Sequence, residues 1–177
     1  KAQPGKTAYG SNGNGTAQHL IGTQFENLTG VDLLHIPYKG SGPLTTDLLG
    51  GQVTMSFDTL TPVLPHIRAG KLRAIAVGTT QRIAELPDVP TVQEMGFKDF
   101  ETSQWYGIHV PAGTPADVIK RLQEESFKAL KSSSVTERFA TDNAVGGGGP
   151  TAEYAAFIAR EQKIWSDIVK RASIKAD

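Results

Sequence analysis

Tyr9-Gly10-Ser11-Asn12-Gly13-Asn14-Gly15-Thr16 joins a short apolar run to the first long helical pattern of the chain. Its glycines and asparagines tolerate a tight backbone that aims successive N–H groups at one point, and the following helix adds partial positive charge there. An anion is the natural guest. The loop lacks the Gly-Lys-Ser/Thr ending of a phosphate-binding P-loop, and glycines at 10, 13 and 15 miss the dinucleotide fingerprint. A carboxylate therefore fits better than a nucleotide. A second reading stands beside it, a glycine-rich turn in which Thr16 or Asn14 caps a helix.

Outward from this loop, apolar runs alternate with helical patterns, the rhythm of parallel strands joined by crossover helices. The pattern predicts strands at Thr7–Gly10, Val31–Pro37, Gln52–Phe57 and Leu72–Val77, and helices at Thr16–Leu28, Gly42–Leu49 and Pro62–Ala69. Gly30, Gly50-Gly51 and Gly70 follow those helices, where a residue free to take positive φ ends a helix at little cost. The expected fold class is α/β with a mostly parallel open sheet and C-terminal helices.

Beyond Val77, Leu86-Pro87-Asp88-Val89-Pro90 forbids continuous helix. A loop with a short helix at Thr91–Met95 is expected, then a strand at Trp105–Val110. Thr114 as N-cap and Pro115 at the first position predict a helix running to about Lys131. After Gly146–Gly149, Thr151 is the expected N-cap of a last helix whose apolar residues from Tyr154 to Val169 fall mostly on one face.

Composition excludes several functions. With 18 basic and 18 acidic residues among 177 and no run of one sign, nucleic acid is not an expected partner. The chain has no cysteine, which removes disulfides, thiolate nucleophiles and cysteine metal sites. His19, His35, His66 and His109 show no metal-ligand spacing, and there is no Gly-x-Ser-x-Gly elbow and no His-Glu-x-x-His helix. No cofactor and no enzymatic activity are expected.

Strand carboxyl ends in open α/β sheets are where ligand crevices form, and this singles out two further residues. Tyr38 closes the second strand; it either meets a ligand or packs on its own loop. Asp58 closes the third; it either accepts a hydrogen bond from a ligand hydroxyl or amino group or caps the next helix. His19, one turn into the first helix, either supports the glycine loop or faces solvent.

These residues resemble a known family. Tyr9–Thr16 with His19-Leu20, Gly30-Val31-Asp32, Ile36-Pro37-Tyr38-Lys39-Gly40, Asp47–Val53, Phe57-Asp58 and Leu64–Ala74 are similar in order and spacing to the tripartite tricarboxylate transporter receptors, or Bug receptors. The likeness continues through Leu86–Val92 and Pro111–Pro115 to Lys175-Ala176-Asp177.

The resemblance implies a type II periplasmic binding protein, in which two lobes close on a small carboxylate like a flytrap. It implies a periplasmic location and membrane transporter subunits as partners. Ligand contacts map onto Ser11, Asn12, Gly13, Asn14, Gly15 and Thr16, with His19, Tyr38 and Asp58 beside them. Residues 1–104 would form lobe two, and 105–177 would supply a crossover strand and helices completing lobe one. On this pattern the amino-terminal lobe and export signal are missing, so self-association or domain swapping through the uncovered apolar face is expected. A ligand-sensing effector domain, or an enzyme acting on a small anionic substrate, are the alternatives.

Overall fold

The computed structural model describes residues 4–141, 144–172 and 174. Three strands, β1 (Ala8–Ser11), β2 (Leu34–Pro37) and β3 (Met55–Ser56), form one parallel sheet in the order β2-β1-β3. Tyr9 pairs with His35 on one side and Met55 on the other, so β1 is central. The crossovers are helices α1 (Ala17–Thr29) and α2 (Ser41–Leu49), and α3 (Leu60–Arg68) follows β3.

Alternation along β1 sends its residues to opposite faces of the sheet. Tyr9 and Ser11 turn toward α1, while the other face at Gly10 meets Leu44 of α2 and Tyr38. Tyr9 is fully buried, stacked on His35 with centroids 5.0 Å apart and edge-on to Phe57 at 5.6 Å. Phe25 of α1 extends this cluster to Phe57, Phe97 and Phe100. Each such side chain taken from water contributes about 1.5–3 kcal/mol, which is why α1 docks by this face. Gly30 ends α1 at φ 64°, its N–H donating to Glu26 O at 2.8 Å.

Past α3 the sequence reading needs correction. Leu72–Val77 forms no strand; Val77 alone makes an isolated parallel bridge to Thr91. Residues 92–96 are a run of turns where a short helix at Thr91–Met95 was expected. Glu94 explains the turn: it accepts the Thr91 N–H at 2.7 Å, its own N–H donates to Thr91 Oγ1 at 3.0 Å, and Arg82 Nε reaches both its oxygens.

The chain divides into two compact units, Lys1–Gln104 with Ala156–Asp177, and Trp105–Ala155. The second holds α4 (Ala116–Leu130) and α5 (Ser133–Thr141). Pro115, not Thr114, is the N-cap of α4, and the Thr114 hydroxyl donates to Pro111 O instead. Trp105–Val110 is not a ladder strand, because no strand lies beside it among the described residues. It keeps a strand's alternation all the same. Trp105, Gly107 and His109 meet Tyr154, while Tyr106 and Ile108 are 85% and 76% exposed. Helix α6 (Thr151–Arg171) includes Thr151 in its first turn instead of leaving it outside as a cap. Lys175-Ala176-Asp177 lie outside the described residues.

Candidate functional site

The loops leaving β1, β2 and β3 emerge from the same edge of the sheet because the strands are parallel. The first two are tied together: Tyr38 N–H donates to Ser11 O at 2.9 Å and Gly40 N–H to Asn12 O at 3.1 Å. Gly13 and Gly15 take φ 139° and 72°, conformations that side chains with a Cβ rarely adopt.

Within the loop, the amides do not all point outward as the sequence suggested. Gly13 N–H donates to Ser11 Oγ at 3.2 Å, Gly15 N–H to His19 Nδ1 at 3.2 Å, and Thr16 N–H to Gly13 O at 3.4 Å. Thr16 does not cap the helix either, since its hydroxyl donates to Gly13 O at 2.7 Å. Helix α1 thus begins with no side-chain cap. The first-turn N–H groups of Ala17 and Gln18 have no carbonyl of their own helix to meet, and among the described residues no side chain caps the positive end of the helix dipole at the strand edge.

The contiguous set Ser11, Asn12, Gly13, Asn14, Gly15, Thr16 and His19 is brought together, with Ser11 and Gly13 buried and the others partly exposed. Tyr38 is drawn to the same edge, but its hydroxyl donates to Asp47 Oδ2 at 2.9 Å. Asp58 Oδ1 accepts the N–H of Thr59 at 2.9 Å, while Oδ2 is buried without a hydrogen-bond partner among the described residues, and burial raises the carboxyl above its ordinary pKa. No hydrogen bond joins Asp58 to the glycine loop among the described residues.

His35 is the participant that the sequence reading did not place in the site. Its Nε2 lies 2.6 Å from Ser11 Oγ, and its ring stacks on His19 with centroids 3.8 Å apart. The signal was available in the alternation, because a parallel partner of Tyr9 shares its face of the sheet. Burial, and secondarily His19, push His35 down to about 4; burial also lowers His19. Both rings line a concavity of about 440 Å³ with Tyr9, Asn14, Thr23 and Glu26. The Tyr9 hydroxyl is pushed up to about 12, chiefly by burial.

Ser11 and His35 resemble a nucleophile and its base, but the chemistry is wrong for catalysis. Ser11 is fully buried, its oxygen already receives Gly13 N–H, and an imidazole held near 4 is a weak base at neutral pH. Among the described residues, no group of three or more His, Cys, Asp or Glu side chains is placed to hold a metal, and no helix is long and apolar enough to cross a membrane.

A parallel α/β unit with helices crossing between its strands is a fold that solved periplasmic binding proteins share. The solved structure of R. palustris Rpa4515 with adipate superposes with TM-score 0.85 at 32% identity, covering 98% of this chain and 58% of that one. MatC (Rpa3494) from Rhodopseudomonas palustris with bound malate gives 0.75 at 28% identity, covering 93% and 57%. Protein BugT of Bordetella pertussis is 38% identical over 175 residues, 99% of this chain and 54% of that protein. The TctC family, described as tripartite tricarboxylate transporter family receptor, matches residues 1–174, and the chain belongs to it. It spans about half the length of the curated relatives it matches.

Proposed function

We propose that this chain is the ligand-binding part of an extracytoplasmic, periplasmic receptor that captures a small carboxylate for a tripartite tricarboxylate transporter and breaks no bond. The observation that carries the reading is the uncapped start of α1. Directly after the central strand, its amides and dipole offer charge and donors to an anion, and among the described residues no side chain caps them. Adipate and malate in two structural neighbours support a carboxylate as the guest. Ser11–Thr16 and His19 form and support this subsite, with Tyr38 and Asp58 bordering it. Residues 1–104 act as lobe two, and 105–177 supply the crossover segment and helices of lobe one.

In such a receptor the ligand favours the closed arrangement to the extent that it binds that arrangement better. Mass spectrometry of small molecules released from gently purified protein tests the assignment. A carboxylic acid in stoichiometric amount is expected. A nucleotide or sugar in its place, or turnover of an ester or phosphate by the purified chain, would contradict it.

A further inference from the structure

Two glycine amides in the loop are held by side chains, and those side chains are joined through stacked imidazoles. Gly15 N–H donates to His19 Nδ1, His19 stacks on His35, and His35 Nε2 meets the Ser11 Oγ that receives Gly13 N–H. We infer that Ser11, His19 and His35 are positioning residues forming a proton-sensitive clamp beneath the loop, which keeps the mouth of α1 in shape while His19 is neutral and lets go of Gly15 when it is protonated. The inference rests on the reading that this mouth holds the carboxylate.

The clamp follows from elementary acid–base chemistry. A ring nitrogen that accepts a hydrogen bond carries no proton, so neutral His19 bears its hydrogen on Nε2. Protonation fills the Nδ1 lone pair, and two N–H groups then face each other where donor met acceptor. His35 cannot share the load, because two positive rings with centroids 3.8 Å apart repel. The clamp therefore opens at His19, and His35 stays neutral behind it.

Among the described residues, the groups around this pair are few. Glu26 on α1 is the carboxyl that lines the concavity among the described residues, its pKa raised chiefly by burial, while burial lowers that of His19. From β1 comes Tyr9, whose phenol stays neutral, and from β2 His35 itself. Asn14 and Thr23 carry no charge, nor do Ala172 and Ile174, which line the concavity from the C-terminal side.

Amide resonances of the whole chain, followed by ¹⁵N NMR from about pH 8 to about pH 5, test the clamp without any ligand. Gly15 is expected to shift with the same midpoint as the His19 ring protons. His19→Asn, which offers an amide oxygen in place of Nδ1 and does not titrate, is expected to abolish that inflection. A Gly15 amide that ignores the His19 titration overturns the proposal, and the wild-type spectrum decides this even where the variant fails to fold. Malate titrations at about pH 7.5 and about pH 5.5, corrected for malate's own ionisation, then separate the clamp from the binding reading. Malate affinity that weakens severalfold at the lower pH, and is level in His19→Asn, links the two. Level or stronger binding by the wild type at the lower pH overturns the link and the positioning role. No malate binding at either pH, with Gly15 still titrating, counts against the carboxylate reading and leaves the clamp standing.

Discussion

The ring of Tyr9 fills the space that a side chain on Gly22 would enter: a Cβ built on Gly22 would lie 2.6 Å from Tyr9 Cζ and 2.8 Å from its hydroxyl oxygen. Both residues are buried, and the approach brings α1 down onto the central strand that carries the glycine loop.

Gly22→Ala should therefore destabilise the chain by about 1–3 kcal/mol, as overpacking of a filled core does. Gly147 has open space around it and no positive φ, so Gly147→Ala should be neutral or stabilise by about 0.4–1 kcal/mol. Urea unfolding of the two variants checks the contrast, and equal effects would contradict the packing described.

Stability should fall on mild acidification through His35. Its folded pKa, about 4, lies below the ordinary imidazole value of about 6.5. Between those values the unfolded chain binds more protons than the folded one, so stability rises with pH across the window. The contribution is whole above about pH 6.5 and is lost as pH drops toward 4. Partial exposure of the ring screens it to on the order of 1 kcal/mol. Urea midpoints of wild type and His35→Gln at about pH 7.5 and about pH 5 isolate this from titrating carboxylates; the gap should narrow at the lower pH.

Valine at Gly15 should remove carboxylate binding at least tenfold while the fold survives, because φ 72° is strained for a β-branched residue. Equilibrium dialysis against adipate reads the loss, and circular dichroism checks the fold. Unchanged affinity would show that the loop does not border the ligand.

Much of this site was legible because its signals are local. A glycine that must end α1 or turn the first loop declares itself by residue type, and the helices following β1 and β2 fell within a few residues of the reading. What failed depended on a neighbour. Trp105–Val110 has the composition of a strand, yet a ladder needs a second strand, and sequence does not say whether one is present. Helix α5 was not read at all beyond the helix expected to end near Lys131; Ser132 O accepts Thr136 N–H at its start. The amides of Gly13 and Gly15 were misjudged for the same reason: only the fold brings Ser11 and His19 close enough to occupy them.

Tyr106 and Ile108, exposed on one side of a segment with no strand beside it among the described residues, should make the chain self-associate. Sedimentation velocity should show mass rising with concentration, and Ile108→Lys should suppress the rise. A compact monomer at every concentration would count against it.

The most direct test of the anion site follows the amide resonances of Ala17 and Gln18 while adipate or malate is added. Saturable shifts concentrated at these two residues and their loop neighbours are the predicted result. An acid that binds but leaves both amides unmoved, or a spectrum that no carboxylate perturbs, would contradict the assignment.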